Sequence, residues 1–229
     1  MSKCGITEEV EMNLLELKQI LGDSLPADLN TDLNLKRWLN GYLLLTYAVN
    51  RRVAGLDSPS LLENVYENVY VKKLLVHLQI SLKSMVVNEY DNSIVVVCLI
   101  DSVSYHDLAR VVTPSEMLMY YFALTEYFFK QVLAREKATG RRSGLTFVFD
   151  VANFHVVDYV NPRSRFMQLF SLCASVIQDY YCDVLQRLCL LNCGYLLKAV
   201  LQLAKLVLVP LAFEKVSGEA CDDDDLKFD

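Results

Sequence analysis

The apolar positions of this chain follow two different periods. Up to about residue 83 they recur at helical spacing. Residues 7–21 place Val10, Met12, Leu14, Leu15, Leu17, Ile20 and Leu21 on one predicted helix face, with Thr7 as its cap and Gly22 as its stop. Thr31 or Asp32 caps a short helix whose Leu35, Trp38 and Leu39 share a side, and Gly41 ends it. A further short helix over 42–53 closes on Arg51-Arg52. Basic residues there suit the negative end of a helix, and that reading outweighs a phosphate site. Pro59 opens one or two helices over 59–83 that carry Leu61, Leu62, Val65, Val69, Leu74, Leu75 and Leu78.

Beyond residue 90 short continuous apolar runs alternate with long amphipathic stretches. Asp91-Asn92-Ser93 reads as a turn. The runs 94–100, 145–150 and 188–192 are apolar on both faces, the pattern of strands covered on both sides. Thr113-Pro114-Ser115-Glu116 carries a capping box with proline in the first turn, so it opens a long helix that reaches about Ala138. The charged turn after it holds Arg135, Lys137, Arg141 and Arg142, read as a solvated helix end. A second helix follows Asn161-Pro162-Arg163 and buries Phe166, Leu169, Phe170, Cys173, Val176 and Ile177. A third runs from Tyr195 until Pro210 breaks it, and 211–216 is a short helix or turn. Strands returning in the same direction need long crossovers. The prediction is therefore an α/β chain: an N-terminal helical module over 1–60, a mainly parallel sheet covered by helices over 61–216, and an acidic, disordered tail over 217–229 that contains Asp222-Asp223-Asp224-Asp225.

Composition narrows the function. The chain is 53% hydrophobic and 22% charged with a net charge of −6. No basic excess exists to serve nucleic acid or to bind anionic lipid tightly. Seven cysteines, an odd number, lie mostly inside apolar runs, and the start of the chain has no apolar signal core. That suits a cytoplasmic protein whose cysteines are small buried hydrophobes. Cys182, Cys189 and Cys193 lack metal-site spacing, so no metal and no cofactor are expected. The apolar block 188–213 is interrupted by Lys198 and Lys205 and is read as strand then helix, not as a membrane span. The three histidines have no local nucleophile, and no phosphate-cradling glycine loop or nucleophile elbow occurs. No catalytic residue is assigned.

Three ordered pieces resemble the CRAL-TRIO lipid-binding family, which includes phosphatidylinositol-transfer and tocopherol-transfer proteins. The first is Asp32-Leu33-Asn34-Leu35-Lys36-Arg37-Trp38-Leu39-Asn40-Gly41, similar to the family's small N-terminal helical module. The second is the run 145–150 with its glycine-bounded linker. The third comprises Asp179-Tyr180-Tyr181-Cys182-Asp183, Leu190-Leu191-Asn192-Cys193-Gly194 and the stretch 208–216. In the family these positions commonly read Asn/Asp-Tyr-Tyr-Pro-Glu-Arg, Ile-Ile-Asn-Ala-Pro and Phe-Leu-Asp-Pro-Val-Thr-x-x-Lys-Ile. Cys182, Val184 and Gly194 depart from that pattern. The family's further strand after the Lys215 position is not expected, because the chain turns polar at Ser217, so the resemblance is to a C-terminally shortened or divergent form.

The resemblance implies a carrier for a hydrophobic ligand, with phosphatidylinositol first among candidates. The segment 195–213 would act as a gate over an apolar pocket lined by residues such as Phe147, Phe149, Tyr181, Leu197 and Leu201. Phosphatidylinositol-binding members use an acid and a lysine at the positions of Asp183 and Lys215 to hold the headgroup. The alternative for these two, charges at exposed element ends, stands beside it. Leu145 and Phe147 replace the hydroxyl residues of a phosphatidylcholine site. The partners implied are a lipid or other hydrophobic small molecule and, transiently, a membrane surface; nucleic acid is not among them, and no protein partner is named. The competing class is an interaction or regulatory module that keeps the fold without the closed pocket.

Overall fold

The structure, a computed structural model, describes residues 3–21, 25, 27–39, 65–75, 85–99, 110–150, 152, 163, 165–181, 183–193, 201–202, 204–205, 208 and 210–218. At the N-terminal end α1 (Lys3–Leu21) packs on α2 (Asp32–Leu39). Leu14, Leu21, Leu25, Leu35 and Trp38 close into a small core between them. Thr31 caps α2: its hydroxyl accepts from Asn34 N at 3.3 Å and its carbonyl from Leu35 N at 2.8 Å. The helix does not start after Thr7, because α1 begins at Lys3. Nor do the apolar residues of α1 form one face. Leu14 and Leu21, two helical turns apart, are buried, whereas Met12, Leu15 and Ile20 are exposed on the far side.

The helix expected over 42–53 and the start at Pro59 lie outside the described residues. A 3-10 turn, Val65–Glu67, leads into α3 (Val69–Leu75), and together they bury Val65, Val71 and Leu74. Val69 itself is exposed.

The sheet has five strands in sequential order: β1 (Met85–Asn88), β2 (Ser93–Leu99), β3 (Leu145–Asp150), β4 (Leu185–Leu191) and β5 (Val216–Gly218). The β1–β2 pair is antiparallel, and the other three pairings are parallel. Crossovers carrying α4 (Pro114–Thr139), α5 (Arg165–Tyr180) and α6 (Pro210–Phe213) join the parallel strands. The mainly parallel sheet covered by helices is thus the architecture found. Two strands were not predicted. The β1 strand is short and half-exposed, and its Met-Val-Val-Asn sequence has too little pattern to declare itself. The β5 strand contains Ser217 and Gly218, which polarity assigns to the tail. They pair with Cys189 and Leu190 of β4, so the sheet continues past Lys215 after all. Strand β4 also begins three residues earlier than the apolar run indicates, with Leu185, Gln186 and Arg187.

The α4 helix forms as its capping sequence dictates. Thr113 Oγ1 accepts from Glu116 N, Thr113 N donates to Glu116 Oε2 at 2.9 Å, and Gly140 ends the helix in the left-handed region at φ 65°. Paired residues of parallel strands point to one face of the sheet. Ile94, Val96 and Cys98 of β2 share that face with Leu145, Phe147 and Phe149 of β3. There they meet Met117, Phe128, Val132 and Leu133 of α4 and Cys173 of α5 in the main core. A smaller cluster holds Leu190 and Cys193, with Phe149, Leu188, Leu201 and Val216 against it. Phe149 joins the two.

Candidate functional site

Arg142, Asp183 and Lys215 come together just before the parallel strands β3, β4 and β5. Each strand's leading turn delivers one of them, so the register of the sheet sets their spacing. Asp183 sits between α5 and β4 with φ 55°, a left-handed backbone that a short, locally hydrogen-bonding side chain tolerates. Lys215 follows α6, and its carbonyl accepts the first β4–β5 bond from Leu188 N at 2.9 Å. Its ammonium donates to Asp183 Oδ1 at 2.9 Å and to the Leu185 carbonyl at 2.7 Å. Arg142 Nη2 pairs with the other oxygen, Asp183 Oδ2.

The electrostatics of the trio are one-sided. Burial works to raise the Asp183 pKa, but the hydrogen bonds from Lys215 and Arg142 outweigh it and hold the carboxyl below the usual range. Two cations and one carboxylate leave one net positive charge, in a setting where the side chains of Asp183 and Lys215 are each only 21% exposed. Such a cluster can receive an anion through the cations and hydroxyls through the carboxylate.

The approach of Asp183 and Lys215 is as the resemblance requires, across 32 positions of sequence. Reading residues alone misses Arg142. The basic cluster around it is solvated, with Lys137, Arg141 and Arg142 exposed, but it also makes tertiary contacts: Arg135 donates to Asn92 Oδ1 at 2.8 Å and pairs with Glu89, while Arg141 donates to the Tyr90 carbonyl at 3.2 Å. Nothing local in the sequence announces these partners, which lie more than forty positions away.

The apolar candidates divide. Phe149 and Leu201 share the small cluster around Leu190 and Cys193. Phe147 stacks on Phe149, centroids 5.9 Å apart, and turns an edge toward Phe128 of α4 at 5.8 Å. Tyr181 is a core residue: its hydroxyl donates to Glu126 Oε1 at 2.6 Å and its ring meets Phe129. Leu197 lies outside the described residues, as does much of the segment expected to form the gate and roof the pocket. The charged trio stands at the leading ends of the strands and Phe149 near their trailing ends. At about 3.3 Å per residue, the strand length between them is roughly 13 to 16 Å.

Cys98 and Cys173 are core residues: burial pushes their thiols up to about 12. Among the described residues, Cys98, Cys173, Cys189 and Cys193 are free of disulfides, and no group of three potential ligands could hold a metal ion. No helix among them is long and apolar enough to cross a membrane, and residues 188–191 of the apolar block lie in strand β4.

A family model of the CRAL/TRIO domain matches residues 81–222, more than half of the chain. The chain belongs to the CRAL/TRIO domain family. The match takes in the whole sheet from β1 to β5 together with the charged trio. A CRAL-TRIO domain-containing protein of Caenorhabditis elegans is 28% identical over 205 residues, which cover 84% of this chain and 51% of that protein. This chain therefore spans about half the length of that relative. The crystal structure of Sfh5 shares the fold, with a TM-score of 0.56 at 12% identity over 92% of this chain and 80% of that one. CRAL/TRIO domains bind lipids or other small hydrophobic molecules.

Proposed function

We propose that this CRAL/TRIO domain binds a phospholipid, with phosphatidylinositol the first candidate, and exchanges it with membranes. The observation that carries the reading is the Lys215–Asp183 pair at 2.9 Å, held between the turns that lead into β4 and β5. Lys215 meets the headgroup phosphate as a point charge, and Asp183 accepts hydrogen bonds from the inositol hydroxyls. Phe149, Leu188 and Leu190 supply apolar surface from the sheet, with Leu201 of the segment 195–213 against it. Each methylene kept from water contributes about 0.8 kcal/mol, so an acyl chain must stay covered while it is carried. No chemical step is assigned to any residue.

A second reading has its own support. Both oxygens of Asp183 are already engaged, one by Lys215 and one by Arg142. The trio would then be a clasp between strand ends in an interaction module without a lipid. Native mass spectrometry of protein purified from cells separates the two, because a bound mass of lipid size belongs only to the carrier. Loading of labelled phosphatidylinositol from liposomes then tests the headgroup site. Lys215→Ala should weaken loading about tenfold, the loss of one charge-assisted hydrogen bond, with the fold intact. Equal loading by wild type and variant would remove the headgroup assignment.

A further inference from the structure

We infer that Arg142 is a second direct ligand of a phosphate ester, and that Arg142 and Lys215 share this anion while both remain beside Asp183. The inference rests on the carrier reading above and adds to it the residue that sets selectivity for an anionic headgroup. Arg142 is half-exposed, at 49%, and faces the other two charges across the entrance to the sheet. Its guanidinium is a planar fork, so one arm can stay on the carboxylate while the other meets a phosphate oxygen. Lys215, in contrast, is a compact charge already anchored to the Leu185 carbonyl. Without a ligand, Asp183 screens two cations that would otherwise repel one another. A phosphodiester carries one negative charge and so matches the single net positive charge of the trio.

The backbone around Arg142 is held far more firmly than an exposed arginine requires. Asn92 Nδ2 donates to the carbonyls of Arg141 and Arg142 at 3.1 and 3.2 Å. The next residue, Ser143, donates through its amide to Glu136 Oε1 at 2.9 Å and through its hydroxyl to the Asn92 carbonyl at 2.6 Å. Its own carbonyl accepts from Arg37 Nη2 at 3.0 Å. Asn92, Glu136 and Arg37 are all buried. The loop is thus fixed while the Arg142 side chain stays half-exposed beside Asp183, and a ligand group positioned in advance loses less freedom on binding. Of the four basic residues around this turn, Arg142 is the one whose described contact is with the trio, since Arg135 and Arg141 are engaged with the β1–β2 turn.

The test compares wild type, Arg142→Gln, Arg142→Lys and the exposed control Lys72→Gln for uptake from vesicles. The probes are phosphatidylinositol and a diacylglycerol with the same acyl chains but no phosphate. Arg142→Gln should take up phosphatidylinositol about tenfold less well, as expected for one charge-assisted contact, and diacylglycerol as wild type does. Arg142→Lys should recover part of the loss, and Lys72→Gln should match wild type. Unchanged phosphatidylinositol uptake in Arg142→Gln overturns the inference, and so does an equal loss of both lipids, which would mark Arg142 as a structural clasp. Calorimetric titration with glycerophosphoinositol and with inorganic phosphate separates a lipid headgroup from a free anion. Wild-type protein that takes up neither lipid overturns the carrier reading itself, and phosphate binding in that case would assign the trio to a soluble anion.

Discussion

Gly144 shows how little room the entry to β3 allows. A Cβ there would stand 2.7 Å from Gln186 Cγ and 2.8 Å from the Val184 carbonyl oxygen. The side chain of Gln186 could move, but the Val184 carbonyl cannot, because it accepts from Leu145 N at 2.8 Å and so opens the β3–β4 ladder. The ladder is irregular at that point: Leu145 faces Leu185 and Thr146 faces Arg187, which leaves Gln186 as the extra residue of a bulge. Gly144→Ala should destabilise the fold by about 1 to 3 kcal/mol through overpacking, read as a lower urea midpoint with an unchanged slope. Because Arg142 and Asp183 flank this contact, the same variant should also loosen the charged trio. The sequence shows a glycine before a strand and no more, because the clash lies with a strand forty residues downstream.

At the scale of an element, α4 is the most legible part of the chain. Its capping box and its proline at the start are both local, and the structure realises them, with Gly140 then ending the helix. One tertiary contact is added: Lys73 of α3 pairs with Glu116 Oε1 at 2.7 Å. That hydrogen bond, then those from Thr113, lower the Glu116 pKa to about 2. An unfolded glutamate titrates near 4.3. A carboxyl depressed on folding stabilises the protein at pH values above its unfolded pKa, and the contribution is lost as pH falls toward the folded value. Stability owed to Glu116 should therefore fade between about pH 4.3 and 2. Glu116→Gln should flatten the thermal midpoint over that acid range relative to wild type. An acid limb as steep as the wild type's would show that other carboxylates govern it.

At the scale of the molecule, the N-terminal helices are fastened to the sheet domain by a buried ion pair. Arg37 of α2 donates to Glu136 Oε1 of α4 at 2.5 Å, with its side chain fully buried and that of Glu136 only 3% exposed. Asn34 Oδ1 accepts from Nη1 at 3.1 Å, and the guanidinium also lies 5.7 Å from the Phe129 ring centroid. Tyr180, at the end of α5, adds an apolar contact to the α1–α2 core. Removing one member of such a pair strands the other charge, so Arg37→Ala should cost about 3 to 5 kcal/mol. Chemical denaturation would measure the loss, and limited proteolysis should cleave around α1 and α2 sooner. The double change Arg37→Met with Glu136→Leu should recover most of the stability, since well-packed apolar residues replace a buried pair at little net cost. The pair also holds Ser143, so the N-terminal module reaches the loop that presents Arg142.

What the sequence determined by itself is whatever depends on neighbours in the chain. The capping residues of α2 and α4, the Asp91-Asn92-Ser93 turn, and the apolar runs of β2 and β3 all rest on local propensity and period. The ordered motifs around Asp183 and Lys215 added the family and, with it, the expectation that these two approach. Tertiary structure decided the rest. Arg37 reads as an ordinary helix charge until Glu136 arrives from 99 positions away. Met12 and Leu15 look like core until the helix turns only Leu14, Leu17 and Leu21 toward α2. Ser217 and Gly218 read as a polar tail, yet the backbone ladder of β4 pairs them through groups that every residue carries. Arg142 gains its place because three strand entrances converge, and no local period or propensity encodes a convergence of distant turns.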